Sequence, residues 1–287
     1  MAATIIDGRA TAATIKDELR GRVHALTQHG VTPGLATVLI GDDPGSHTYV
    51  RLKHKASADI GIDSFRFDLP ADASREQVLD LIAGLNADPK VDRYLVQYPV
   101  PGHLDYSEFA TAMDPAKDAD GLHPVNLGYL ALGATGYPRP GTPSAIVELL
   151  VRYKVPIEGR HAVVVGRGTT AGRPLAMLLS LKEPHLNATV TQCHTGTNFL
   201  PEYTREGDIL VAAAGRAGLI TADMVKPGAA VIDVGSTRTE TGPAGDVAAD
   251  VVDVAGWLAP IPGGVGPMTI AMLLRSTVEA AEQRASR

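Results

Sequence analysis

The sequence predicts an α/β protein of two domains, each a largely parallel sheet covered by helices. Three observations carry this. The 287 residues divide into about two domains of ordinary size. Short β-branched runs alternate with amphipathic segments at the pitch of βαβ units. The 30 glycines and 20 prolines punctuate the chain with tight turns.

Each element follows in order. Residues 10–29 place Ile15, Leu19, Val23 and Leu26 on one stripe, which predicts a helix. The run 35–42 (LATVLIGD) reads as a strand, and 46–61 as a helix closed by Gly61. DSFRFDLP repeats the strand signal, and the next helix opens with Ser74 and Gln77 at capping-box spacing. A third strand, 91–101, is stopped by Pro99 and Pro101. The stretch 117–143 has few periodic positions and reads as irregular chain leading to a linker helix at 143–154. The βα rhythm then restarts with HAVVVGRGTTAGRP, ATVTQCHTGT, DILVAAAG and AAVIDVG. The last helix, GPMTIAMLLRSTVEAAEQ, has Ile270, Met272, Leu273, Leu274 and Val278 to bury.

Composition excludes several classes. No apolar run approaches the ~18 residues of a spanning helix, and MAATIIDGRA lacks a secretory n-region and h-region, so the expected location is cytoplasmic, away from membranes. The net charge of −6, with Lys and Arg dispersed, argues against nucleic acid. The single cysteine, Cys193, and the absence of HExxH and GxSxG remove disulfide, zinc-protease and serine-hydrolase readings; no metal is expected.

Chemistry concentrates in a few places. In VVVGRGTTAGRP, Gly166, Gly168 and Gly172 fall between a strand and a helix, where glycines allow a tight turn and a phosphate meets the helix N-terminus. The spacing is GxGxxxG rather than GxGxxG, and no P-loop is present. Nucleotide sites that select NAD carry an acidic residue after the second strand. TQCHTGT has none there, so Arg167, Arg173, His194 and Thr195 are candidates for a ribose 2′-phosphate, favouring NADP. Tyr49 and Lys53 share one helix face, as a structural pair often does, but a flat substrate would also find there a stacking ring and an amine. Gln97 and Asp120 fall beyond strand ends, where parallel sheets bind ligands and where ordinary turns also need such residues. Pro262, Gly263 and Gly264 form a tight turn before the last helix.

Taken together, GDDPGSHTYVRLKHKA, LVQYPVP, KDADGLHP, VVVGRGTTAGRP, VIDVG and PGGVGPMT resemble, in order and over nearly the whole chain, the bifunctional methylenetetrahydrofolate dehydrogenase/methenyltetrahydrofolate cyclohydrolase family. The resemblance implies a folate-binding catalytic domain, 1–142 completed by 266–287, and a Rossmann-type doubly wound domain, 143–265, binding NADP, with a cleft between them. It implies a homodimer acting on tetrahydrofolate derivatives. Lys53 matches the catalytic lysine, Tyr49 the stacking tyrosine, Gln97 the glutamine that contacts the lysine, and Asp120 the aspartate that holds the pterin. Gly166, Arg167, Gly168, Thr195 and Ser236 match nucleotide-contacting positions, and PGGVGPMT a loop lining the folate cleft. Many relatives carry a cysteine at Gly141, a hydrophobic residue at Ser236, and leucines at Tyr98 and Val100; of these, Ser236 bears on how the nicotinamide half is held.

The expected chemistry has two steps. Hydride loss from the carbon bridging two nitrogens asks for alignment, not proton transfer. Hydrolysis of the methenyl cation moves protons, and Lys53 suits it if burial and the neighbouring Lys55 lower its pKa. A monofunctional NADP-dependent dehydrogenase and a non-catalytic NADP-binding sensor are the alternatives on the same fold.

Overall fold

The computed structural model describes residues 2–240 and 242–286. The chain opens with a two-residue strand, β1 (Thr4–Ile5), and a helix, α1 (Gly8–Gln28), whose predicted stripe Ile15, Leu19, Val23 and Leu26 is buried. β2 (Gly34–Ile40) is buried at all seven positions, the mark of a central strand covered on both faces. α2 (Pro44–Ala58) begins before the predicted Ser46 because Asp43 caps it, accepting the Ser46 N–H at 2.7 Å, with Pro44 in the first turn. β3 (Asp63–Leu69) and α3 (Arg75–Ala87) follow, the latter opened by the predicted capping box between Ser74 and Gln77. β4 (Arg93–Val96) is shorter than the predicted strand, and α4 (Tyr106–Ala112) comes after it.

One expectation is corrected here. The stretch 117–143 contains a helix, α5 (Pro124–Leu132), where irregular chain was predicted. His123 supports its start, its Nδ1 accepting the Val125 N–H at 3.1 Å, and Gly128 sits mid-helix. A histidine in place of the usual Ser, Thr, Asp or Asn, and a glycine in the middle, hide such a helix from sequence rules.

The second half comprises α6 (Gly141–Arg152), β5 (His161–Val165), α7 (Gly172–Leu179), β6 (Thr189–Cys193), α8 (Leu200–Thr204), β7 (Ile209–Ala212), β8 (Ala230–Asp233), β9 (Ser236–Thr239), β10 (Gly242–Gly245), β11 (Trp257–Ala259) and α9 (Val265–Ala285). Two compact units emerge.

One unit holds Thr14–Tyr129, Gly136–Arg139 and the chain from Ile270 onward, around a parallel sheet of order β3-β2-β4. Val78, Ile82 and Leu85 of α3, at helical spacing, pack with Val38, Ile40, Tyr94, Val96 and Phe109. Each such apolar side chain contributes roughly 1.5–3 kcal/mol by leaving water. The end of α9 is tied into this unit by paired charges: Arg22 donates to both Glu282 oxygens at 2.8 and 2.6 Å, and Arg284 to both Asp92 oxygens at 2.8 and 3.1 Å.

The other unit holds the chain up to Ala13, Leu130–Thr135 and Pro140–Thr269. Its main sheet has six strands, all parallel, in the order β1-β11-β8-β7-β5-β6, and β9 and β10 form a separate antiparallel pair. The first residues join this unit, unlike the expected 1–142 grouping, because β1 pairs with β11 through Thr4 opposite Trp257 and Ile5 opposite Leu258. After β5 the chain steps outward to β6 and then returns past β5 to β7. The C-terminal ends of β5 and β7 are therefore a topological switch point, the place where open parallel sheets bind ligands.

Candidate active site

In the unit of three strands, α2 lies on the sheet through His54, whose ring bonds Thr37 Oγ1 at 2.8 Å and Ser64 Oγ at 2.5 Å. This anchors the helix that carries Tyr49 and Lys53. Gln97 follows β4, its N–H donating to Val38 O at 2.8 Å, so it stands at the carboxyl end of the sheet. Its Nε2 donates to Tyr98 O at 2.7 Å, which fixes the amide so that Oε1 accepts Lys53 Nζ at 3.1 Å. A lysine held this way loses its freedom to reach bulk water.

Burial pushes the Lys53 ammonium below the usual lysine range, and the Asp120 carboxylate opposes that. Lys55, expected to help, is exposed and does not contribute; burial does the work. Asp120 is held above the usual carboxylate range by burial, an effect that Lys53 offsets and Asp118 reinforces. Tyr106 is pushed up to about 12 by burial and by the charges of Asp120 and Asp118. Lys53, Gln97, Asp120 and Tyr106 thus form one coupled polar group. Beside it, Tyr49, Leu52 and Tyr98 are exposed at 58%, 46% and 65%, leaving aromatic and aliphatic surface open to a flat ligand.

A residue that sequence reasoning passed over organises this site. Asp118 is buried, and its Oδ1 accepts the N–H groups of Asp120 and Gly121 at 3.1 and 3.0 Å. Its Oδ2 accepts the His123 N–H at 2.7 Å and Asn126 Nδ2 at 3.0 Å. The turn before Gly121 is therefore made by Asp118, which leaves the Asp120 carboxyl for other work. The signal was an aspartate three residues ahead of a glycine.

In the unit of six strands the three glycines behave differently. A Cβ on Gly166, whose φ is +129°, would fall 2.1 Å from Ala213 O, and one on Gly172 would fall 2.3 Å from Gly166 O. Both are glycines because backbone meets backbone. Gly168 has open space around it, the free face a phosphate needs. No side chain caps α7; the Arg173 N–H donates to Gly168 O at 3.1 Å and Pro174 has none, which leaves the Gly172 amide of this first turn to an anion. Arg167, Arg173, Thr195 and Ser236 are exposed around this turn region, and β6 ends without a carboxylate. His194 is partly engaged locally, its Nδ1 accepting the Gly196 N–H at 3.1 Å.

The turn before α9 is built against the chain's own start. Gly264 is buried, and a Cβ on Gly8 would fall 1.7 Å from its carbonyl oxygen, while the Gly8 N–H donates to Gly263 O at 2.9 Å. Its close approach is thus to backbone, and Pro262 and Gly263 supply the accessible surface.

Residues 6–120 match the model of the tetrahydrofolate dehydrogenase/cyclohydrolase catalytic domain, and 140–285 that of the NAD(P)-binding domain of the same family. The bifunctional enzyme FolD, methylenetetrahydrofolate dehydrogenase/cyclohydrolase, from Campylobacter jejuni is 42% identical, with 99% of this chain and 100% of that chain covered and a TM-score of 0.95. The Trypanosoma brucei dehydrogenase-cyclohydrolase, complexed with NADP and an inhibitor, is 39% identical with both chains covered at 100% and a TM-score of 0.92. The bifunctional enzyme from Thermoplasma acidophilum is 32% identical, with 99% and 100% covered and a TM-score of 0.90.

Proposed function

The chain belongs to the tetrahydrofolate dehydrogenase/cyclohydrolase family and carries both activities with NADP, and on that premise we propose how its own residues divide the work. It oxidises 5,10-methylenetetrahydrofolate to 5,10-methenyltetrahydrofolate and hydrolyses the latter to 10-formyltetrahydrofolate.

The oxidation takes a hydride from a carbon flanked by two nitrogens and leaves a cation delocalised over both. No proton moves, so the protein's task is alignment. NADP, when bound, accepts the hydride. The turn at Gly166, Arg167 and Gly168 and the uncapped start of α7 suit its phosphates; Arg167, Arg173, His194 and Thr195 take its ribose phosphate, with Gly172 closing the turn and Ser236 on the nicotinamide side. The open space at Gly168, between two glycines locked against backbone, supports this reading.

The hydrolysis adds water to the cationic carbon and opens the ring. Lys53, lowered by burial and held by Gln97, takes a proton from the attacking water and returns it to the departing nitrogen, while the hydroxyl left on the carbon gives up its own proton to solvent as the formyl C=O forms. Tyr49 stacks on the flat ring system and Asp120 holds the pterin, while in the other unit Pro262 and Gly263 offer the accessible surface of their turn, with Gly264 buried beneath as its support. The observation that carries the reading is the Lys53 to Gln97 hydrogen bond in a half-buried polar group flanked by exposed aromatic rings. We place the protein in the cytoplasm as a homodimer, with tetrahydrofolate derivatives as substrates. No helix among the described residues is long and apolar enough to cross a membrane.

The test is Lys53→Met assayed by absorbance, following methenyl accumulation and NADPH separately. Loss of hydrolysis by at least about a hundredfold is expected from removing a general base, with NADP binding retained. Hydrolysis at the wild-type rate removes Lys53 from the mechanism.

A further inference from the structure

Two segments of the unit that holds the six-stranded sheet carry the same three residue types in different order: Asp233-Val234-Gly235 from the end of β8, and Gly245-Asp246-Val247 from the end of β10. They interlock. A Cβ on Gly235 would fall 2.0 Å from the Asp246 carboxylate, and one on Gly245 would fall 1.8 Å from that of Asp233. Each carboxylate occupies the room that the other segment's glycine leaves. Asp233 accepts the Asp246 and Val247 N–H groups at 2.9 and 3.2 Å, and so sets the position of Asp246.

Asp246, with no exposed surface, then reaches out to an exposed loop. Its Oδ2 accepts the N–H groups of Ala214 and Gly215 at 2.6 and 3.0 Å, and its Oδ1 that of Arg216 at 2.7 Å. Three consecutive amides converge on one buried carboxylate. This is the loop after β7, at the switch point, and its Ala213 is the backbone on which Gly166 rests: the Ala213 N–H donates to Val165 O at 2.7 Å, and Ala213 O blocks any side chain at position 166. Thr237 Oγ1 donates to Gly215 O at 3.2 Å, tying in the strand that begins at Ser236.

We propose that Asp246, seated by Asp233, is a positioning residue for the dehydrogenase step, clamping the 214–216 loop so that the wall beside the glycine turn and Ser236 is preformed for the nicotinamide half of the nucleotide. The proposal rests on the reading of that turn as the NADP site. It explains why a loop of exposed residues is held by a fully buried carboxylate: a surface loop needs no such anchor for stability alone, and a preformed wall spares the nucleotide the cost of ordering it. Asp233 is the buried support, its carboxyl raised to about 6 chiefly by burial, with the Asp246 charge adding to it against two accepted N–H groups.

The test compares Asp246→Asn with wild type. The substitution keeps shape but turns an N–H₂ toward amides that need an acceptor. The KM for NADP is expected to rise at least tenfold, with methenyl hydrolysis, which uses no nucleotide, within twofold of wild type. Gly235→Ala displaces the Asp246 carboxylate without removing it and is expected to move the NADP KM the same way. An unchanged NADP KM in both variants overturns the proposal, and so does a parallel loss of both activities with a lowered melting temperature, which marks a purely structural role. NADPH fluorescence titration of wild type and Arg173→Ala separates the underlying reading: wild type that does not bind, or an Arg173 variant that binds as wild type does, counts against the site itself and not against the clamp.

Discussion

Replacing Asp118 by Asn changes no volume and removes one charge from a carboxylate that accepts four hydrogen bonds, two on each oxygen. Asparagine keeps one acceptor oxygen and presents an N–H₂ to the other pair of donors. Whichever way the amide turns, two bonds to a charged acceptor are lost, each worth about 1.5–3 kcal/mol. If the Asp120 and Gly121 donors regain water, the cost falls to the lower end, about 3 kcal/mol. The Asp120 bond is the part-buried one of the four, so the amide settles with its oxygen toward His123 and Asn126 and the Asp120 turn loosens. With a urea slope of about 2 kcal/mol per molar, the unfolding midpoint drops by about 1.5 M. Because that turn carries Asp120, the folate KM rises in both reactions. A midpoint within about 0.3 M of wild type, together with an unchanged folate KM, refutes the reasoning that Asp118 holds the loop.

Other outcomes follow from the same geometry. The hydrolysis rate rises with pH through the Lys53 pKa, so its rising limb is centred below the ordinary lysine value of 10.5; a limb centred at or above that value contradicts a buried amine as base, as does Lys53→Arg retaining full activity. Gly172→Ala pushes a methyl against the Gly166 carbonyl, destabilising by about 1–3 kcal/mol and weakening NADP binding; thermal melting and nucleotide titration both read it, and a variant identical to wild type on both discounts the contact. Asp233 has a folded pKa of about 6, above its unfolded value, so it binds more protons folded than unfolded between about pH 4 and 6. Its contribution is fully present below about pH 4 and is lost as pH rises through about 6, on the order of 3 kcal/mol. Urea titrations of wild type against Asp233→Asn across that range show the wild type gaining stability relative to the variant on acidification, and a difference flat with pH refutes it.

Much of the fold was legible because burial writes itself into periodicity. β2, β5, β7 and β8 are near-continuous apolar runs, as strands covered on both faces must be, and α3 announced its start with a capping box. α5 and β1 were not legible, the first through its histidine start and central glycine, the second because two residues have no period. Among site residues, Lys53, Gln97 and the glycine turn stood out by type and place beyond strand ends. Asp118 and Asp246 did not, since an aspartate that accepts backbone amides looks in sequence like any other polar residue in a loop.

By itself, then, the order of residues determined the strand and helix segments, the presence of a glycine turn at Gly166 and which groups were available for chemistry, since these depend on patterns local along the chain. Only the tertiary structure decided which aspartate does what: Asp120 left to the site, Asp118 spent on its turn, Asp233 and Asp246 locked on each other's glycines. The Asp246 bonds to Ala214 and Arg216 reach 32 and 30 residues along the chain and those of Asp233 reach 13 and 14, while the Asp118 bonds, all within eight residues, need the folded loop to converge on one carboxylate. It also decided that burial, not a neighbouring cation, lowers Lys53, because the dielectric around a charge is a property of the packed surroundings and not of the next residues in the chain.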